Sequence, residues 1–183
     1  MTMHSDIAVA AAETYIGLVE VGAGLIPSGG GTKEFALRAS DKYFKGDIEI
    51  PTLQEMSLNI AMAKVATSAQ EAFELGILRK GIDKEIININ RVIAEAKKSI
   101  LELAEEGYTQ PQQRTDIKVL GRSALGSFYT GIASMKMAGY ISEHDEKIAQ
   151  KACYILCGGD LSQPTEVNAV SYTHLTLPTS DLV

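Results

Sequence analysis

Six of the ten residues from 22 to 31 (GAGLIPSGGG) are glycine or proline. Glycine loses the most backbone freedom on ordering and proline removes a backbone donor, so neither a helix nor a strand runs through such a stretch. A long, sharply turning loop is therefore set here, and the chain has a different character on its two sides. The first fifty residues are rich in Gly, Ala and Val and read as strand and loop. The stretch His4 to Ala10 (HSDIAVA) suits a buried strand, and Thr14 to Ile16 a second short one. A short helix is predicted to leave the loop over Thr32 to Ala39.

From Thr52 onward the apolar period is helical. Thr52 is placed to cap a helix to about Ala66, with Leu53, Met56, Ile60 and Ala63 on one stripe. Ser68-Ala-Gln-Glu71 has capping-box spacing and opens a helix to about Leu78. Glu85 to Ile89 is short and rich in isoleucine, which suits a strand. Asn90 is placed to cap a helix to Glu106, striped by Ile93, Ala96, Ile100 and Leu103, with Gly107 as its stop. A long helix follows from about Asp116 to Ala138. Gly121, Gly126 and Gly131 inside it each cost about 1 kcal/mol relative to Ala, which points to close helix–helix contact. Ser142, with Asp145 three residues on, caps a last helix that Gly158-Gly159 ends. The fold class expected is α/β, mainly α. Residues 1–89 would form a partial α/β core, 90–160 a helical segment, and 170–183 a disordered tail.

Seventeen basic residues against twenty-three acidic give a net charge of −6. That balance argues against a general nucleic-acid binder or a basic helix on a membrane surface. No apolar run reaches the roughly 18 residues that a membrane span needs, and the opening MTMHSDIAVAAAETY lacks the positive start of a secretory signal. A cytoplasmic protein is expected. Cys153 and Cys157 would share one helix face. A zinc site would want two more ligands, so they read as buried thiols in a reducing compartment, and no metal site is expected.

The chemistry-bearing run is Ile16 to Thr32, IGLVEVGAGLIPSGGGT. Glu20 lies among apolar residues and glycines, and either turns to solvent or sits in a partly desolvated site. Desolvation raises a carboxyl pKa toward the range useful for acid–base work. Gly29-Gly30-Gly31-Thr32 leads into a helix, where free N–H groups and bare backbone allow close approach of a ligand. A nucleotide phosphate loop would need Gly-Lys-Ser or Gly-Lys-Thr at a spacing that is absent, and Gly22-Ala-Gly24 lacks the third glycine of a dinucleotide fingerprint.

Taken in order, these residues resemble the enoyl-CoA hydratase/isomerase (crotonase) family. The matching motifs are Asp6, Ala8 to Ala12, Gly17-Leu-Val-Glu20, Gly24-Leu-Ile-Pro27 and Gly30-Gly-Thr32. Ala63-Lys-Val-Ala-Thr-Ser-Ala69 with Glu71-Ala72-Phe73 to Gly76 continues the match. Gly107-Tyr-Thr-Gln-Pro111, Asp116-Ile-Lys-Val-Leu-Gly121 and Gly139-Tyr-Ile-Ser-Glu-His-Asp145 resemble one branch. In it, a bacterial multifunctional fatty-acid β-oxidation protein joins an N-terminal NAD-dependent 3-hydroxyacyl-CoA dehydrogenase to a C-terminal hydratase-like domain.

The resemblance implies the second part of a crotonase-type spiral ββα core, truncated, followed by a helical C-terminal segment. It implies an acyl-CoA thioester as substrate, no separate cofactor for this segment, and NAD in a dehydrogenase domain that is absent here. Partners would be the missing N-terminal domains and further copies of the chain. Glu20 matches the second of two catalytic glutamates. The first would lie immediately before Met1, and the oxyanion amides upstream as well. Ser28, followed by Gly29, matches the backbone amide that helps hold the reacting water. On this reading the chain alone is inactive. The alternative is a non-catalytic helical docking or oligomerisation module of the same protein. Val170 to Thr179 resembles, nearly residue for residue, the translation of a transposase sequencing adapter.

Overall fold

The computed structural model describes residues 1–180, apart from the side chains of Thr173 and residues 176–180. In chain order the elements are β1 (Val9–Ala11), β2 (Ile16–Gly17), α1 (Gly31–Ser40), α2 (Ile50–Ala61), β3 (Val65–Ala66), α3 (Ala69–Glu74), β4 (Lys84–Ile86), α4 (Val92–Glu105), β5 (Ile117–Val119), α5 (Gly121–Met137), α6 (Glu143–Leu156), β6 (Thr165–Val167) and α7 (Ala169–Ser180). The class is α/β and mainly helical. Among the described residues no helix is long and apolar enough to cross a membrane.

The chain forms two compact units, and they do not follow the division near residue 89 read from the sequence. One unit takes residues 1–17 and 65–112, the other residues 18–64 and everything from 113 onward. The reason lies in β1, which pairs in parallel with β4 (Val9 opposite Lys84, Ala11 opposite Ile86), so the first unit closes across a long interruption.

In this first unit β2 also pairs antiparallel with β3, and α4 packs on β1. The expected strand from His4 is shorter than predicted, because Thr2–His4 form a 3-10 turn. A single carboxylate ties the start of β1 to that of β4. Asp83 Oδ1 accepts from the Ala8 N–H at 2.8 Å and from Arg79 Nη2 at 2.9 Å, while Oδ2 accepts from the Arg79 N–H at 2.6 Å. Burial pushes this carboxyl up, but the Arg79 side-chain bond, the two backbone N–H groups and the guanidinium charge outweigh it. They hold Asp83 below the ordinary carboxylate value of 3.8. A folded pKa below the unfolded one means stability that is present above about pH 4 and lost as pH falls through the depressed value. Asp83→Asn is expected to cost about 1.5–3 kcal/mol at neutral pH, the range for bonds to a charged group. The same variant should flatten the acid limb of the unfolding curve, as measured by urea titration at a series of pH values.

Helix ends in this unit depart from the sequence reading in detail. Ser68 Oγ accepts from the Glu71 N–H at 3.1 Å, but the Glu71 carboxylate turns to Thr67 instead of closing the box. Before α4 the capping side chain is Asn88, which accepts from the Asn90 N–H at 3.0 Å. The predicted α4 stripe is only partly inward. Ser99 is its buried residue, Ala96 and Leu103 are half-buried, and Ile93 and Ile100 are 84% and 66% exposed.

The second unit is a helical cluster. Its core is Phe35, Ala36 and Ala39 of α1, Leu53, Met56 and Ile60 of α2, Ala124, Phe128 and Ile132 of α5, and Ile148, Ala152, Ile155 and Leu156 of α6. Helix α2 starts two residues before Thr52, because Pro51 in its first turn already has a helical φ and needs no N–H there. Ser142 and Asp145 close a full capping box on α6, as their spacing predicts. An antiparallel ladder of β5 and β6 completes the unit.

Of the three glycines read as marks of helix contact, only Gly121 meets a close neighbour. It sits at φ +59°, and a Cβ there would lie 2.6 Å from the carbonyl oxygen of Leu161, a loop and not a helix. Around Gly126 and Gly131 a Cβ meets nothing within 4 Å. Gly126→Ala is therefore expected to stabilise the unit by about 0.4–1 kcal/mol, through helix propensity and a less flexible unfolded chain. Thermal unfolding of the single variant checks this.

Where the sequence reading placed a disordered tail, residues 169–180 form α7. Asn168 caps it, accepting from the Ser171 N–H at 2.9 Å, and Tyr172 is buried. The apolar residues of this segment have no helical period; the helix packs on α6 and α1 instead, and neither that packing nor the cap stands out in the sequence. Residues 181–183 of the predicted tail lie outside the described residues.

Candidate functional site

Glu20 does not continue a strand. It opens a 3-10 turn, Glu20–Ala23, that Gly24 closes at φ +78°. The Gly24 N–H donates to Val21 O at 3.0 Å, and the Leu25 N–H donates to Glu20 O at 3.0 Å. This folds the loop back over the glutamate's own backbone. Ile26 and Pro27 are then buried and anchor the loop. At its far end the buried Thr32 hydroxyl donates to Pro27 O at 2.9 Å, so the first turn of α1 pins the Ile-Pro step from below. Ser28 and Gly29 form the exposed turn between the anchor and α1.

Of the two readings left open for Glu20, partial desolvation is the one observed. The residue is half-buried, and its Oε2 is fully buried with no hydrogen-bond partner. Such an orphan oxygen forfeits about 1–3 kcal/mol unless a water or ligand meets it, and a catalytic role is one of the ordinary reasons for keeping one. The next two residues, Val21 and Gly22, form part of the wall of a cavity of about 540 Å³. Its remaining lining is mostly apolar and comes chiefly from α2, α5 and α6, with Leu58, Phe128, Ile132 and Met135 prominent.

Two features of this region escaped the sequence reading. His144, in the first turn of α6, sets its Nε2 3.1 Å from the Gly24 carbonyl oxygen. A side chain at Gly24 would stand 3.2 Å from that nitrogen, so the imidazole would have to give by a few tenths of an ångström, and the φ of +78° strains any L residue there. Nothing local in the sequence links two residues 120 positions apart. The second feature is the contact that the Cys153 thiol, read from the sequence as buried, makes on the cavity wall with Ser57 Oγ at 3.2 Å. Burial pushes this thiol up to about 11 against a smaller lowering by the Ser57 hydrogen bond, and burial also raises Cys157. Neither is a thiolate nucleophile near neutrality.

The glycine-rich loop does not fit a dinucleotide. It leaves a 3-10 turn and not a strand, and the Thr32 hydroxyl at its helix start is committed to Pro27. A second, charged cleft in the same unit holds Arg114 paired with Asp41 at 2.8 Å and Lys118 paired with Glu49, so it offers no unpaired charge to a ligand from these groups.

Over 159 residues the chain is 40% identical to a protein of Bacillus subtilis (strain 168) named "Probable 3-hydroxyacyl-CoA dehydrogenase". The match covers 87% of this chain and 20% of the relative, so the chain spans about a fifth of the relative's length. No family model matches the chain, and no solved structure matches it. The relative's name speaks of a dehydrogenase.

Proposed function

We propose that this chain is part of a longer, cytoplasmic fatty-acid β-oxidation polypeptide, and that it supplies one acid/base carboxylate, Glu20, to a crotonase-type centre. The reaction is syn addition of water to a trans-2-enoyl-CoA. The hydroxyl joins the β-carbon, a proton joins the α-carbon, and the product is a 3-hydroxyacyl-CoA. A linked dehydrogenase, for which the similar Bacillus protein is named, then oxidises that product with NAD bound elsewhere in the polypeptide.

The observation that carries this reading is the buried, unpartnered Oε2 of Glu20 at the head of the Gly-Leu-Ile-Pro loop. With no protein donor on that buried oxygen, a water that enters beside it would meet a free proton acceptor. The exposed turn at Ser28 and Gly29 offers backbone N–H groups for that water, and the adjoining apolar cavity suits the hydrocarbon part of an acyl group. A second glutamate and the thioester oxyanion donors come from outside these residues, as the motif order implies. By itself the chain should then leave crotonyl-CoA unchanged, because oxyanion donors are worth about 2.7–4 kcal/mol each.

The second reading is a docking or oligomerisation module. The outward Ile93 and Ile100 of α4 favour it, and the two roles are compatible in one polypeptide. The deciding experiment uses the longer polypeptide with crotonyl-CoA, following loss of the enoyl-thioester absorbance without NAD and nicotinamide reduction with it. Both signals are expected. Oxidation of 3-hydroxybutyryl-CoA without any consumption of crotonyl-CoA would leave only the module reading.

A further inference from the structure

The turn that carries Glu20 is held mainly by its own backbone. The Gly22 N–H donates to Val19 O at 2.9 Å, the Gly24 N–H to Val21 O at 3.0 Å and the Leu25 N–H to Glu20 O at 3.0 Å. Glycine at positions 22 and 24 leaves such a turn soft. Among the described residues, the hydrogen bond that reaches segment 20–25 from another element is that of His144 Nε2 with Gly24 O, at 3.1 Å. A carbonyl oxygen only accepts, so Nε2 carries the hydrogen, and in the neutral ring Nδ1 is the acceptor. The bond therefore needs no charge on the imidazole. It grips the peptide unit between Gly24 and Leu25 by its C=O, and the N–H of that same unit is the one that donates to Glu20 O. Bonds at the two ends of one peptide polarise each other and strengthen together. The imidazole is thus one peptide unit away from the backbone of Glu20.

We propose that His144 is a positioning residue for Glu20. Its Nε2–H ties the 3-10 turn to α6, so that the carboxylate keeps one place relative to the cavity wall when an acyl group enters. Two observations support this role beyond the bond itself. The histidine is a fixed point, because the capping box of Ser142 and Asp145 sets the first turn of α6 and Ile148, one turn on, is buried in the core. The two partners also belong to two walls of the same cavity of about 540 Å³: Val21 and Gly22 line it from the turn, Asp145 and Ala149 from α6. Without the tether those walls meet with no polar bond between them, and the soft turn can drift as the cavity fills. No proton passes through the ring in this role, since the Nε2 hydrogen is committed to a backbone oxygen. The inference rests on the hydratase reading of Glu20 and adds to it a residue that never touches the reacting atoms. His144 is exposed, so replacing it removes the bond without opening the core.

The test compares His144→Phe, which keeps a flat ring without a donor, with His144→Gln, whose amide N–H reaches about as far as Nε2. In the longer polypeptide His144→Phe is expected to lower kcat for crotonyl-CoA hydration by about three- to tenfold, the rate equivalent of one hydrogen bond. KM should stay within about twofold, since substrate contacts are intact. His144→Gln should recover most of the lost kcat. In a Glu20→Gln background His144→Phe should change kcat no further, because it acts through the carboxylate. A second readout uses the chain itself and no substrate: amide exchange at Leu25 should speed by about three- to tenfold in His144→Phe and return toward normal in His144→Gln. Should His144→Phe fail to fold by circular dichroism, His144→Ala takes its place with the same expectations. Normal hydration by Glu20→Gln alone, with exchange at Leu25 responding as expected, would sink the hydratase reading while the tether itself stood. Unchanged exchange at Leu25, or unchanged kcat in His144→Phe where Glu20→Gln has lost hydration, would overturn the inference. So would failure of His144→Gln to recover kcat, or a full further loss in the Glu20→Gln background, since the imidazole would then act in its own right.

Discussion

Glu20→Gln, introduced into the longer polypeptide, is expected to slow hydration of crotonyl-CoA by about 10²–10⁴-fold, the range for lost general acid–base catalysis. Glutamine keeps the shape of the side chain, so the 3-10 turn and the Leu25-to-Glu20 backbone bond that fold the loop should persist. The amide replaces a buried oxygen without a protein partner by a group that cannot take a water proton. Fold stability should therefore hold or rise slightly while turnover falls. Oxidation of 3-hydroxybutyryl-CoA with NAD should be unchanged, since Glu20 takes no part in it. Near-normal hydration by the variant would remove Glu20 from the mechanism. A parallel loss of both activities would point to misfolding and not to chemistry.

The largest effect on folding is expected from Gly121→Ala. Two costs combine at this residue. Its φ of +59° strains any L side chain, at about 1–2 kcal/mol. The new Cβ also lies 2.6 Å from the Leu161 carbonyl oxygen, which is backbone and is itself held by the Arg122 N–H at 2.8 Å. Neither group can move away cheaply, and overpacking of this kind costs about 1–3 kcal/mol more. A fall of about 2–5 kcal/mol in the stability of the second unit follows, read from urea unfolding followed by circular dichroism. The contrast with Gly126→Ala makes the comparison sharp: the same substitution five residues on, in open space, should act in the opposite direction.

Much of the fold was legible because it depends on local signals. The capping box at Ser142, the loop from Gly22 to Gly31 and the helices around Phe35, Ile60 and Ile148 follow from spacing alone. What was not legible depends on distant pairing. Each compact unit is built from two separate stretches of the chain because β1 finds β4, and no feature near residue 10 names residue 85 as its neighbour. The stripe on α4 shows the limit of periodicity, which identifies an apolar face but not whether these residues cover it. At the candidate site the glycine order pointed to Glu20, and the loop geometry accounts for the roles of Thr32 and Pro27. The contact of His144 with Gly24 required two elements that only folding brings together.

The pairing of β1 with β4 also has a consequence for synthesis. Ala8 meets Asp83 across 75 residues, and most of the intervening chain belongs to the other unit. On a ribosome adding about 5–20 residues per second, β4 reaches β1 only several seconds after β1 has been made. Closing so long a span is entropically slow, and a contact of this range delays folding more than it alters final stability. During that interval an alanine-rich strand with an open edge is exposed in the nascent chain. Until β4 arrives such a strand is a target for chaperones, and the yield of folded protein should respond to translation rate and chaperone supply as well as to the stability of the finished unit.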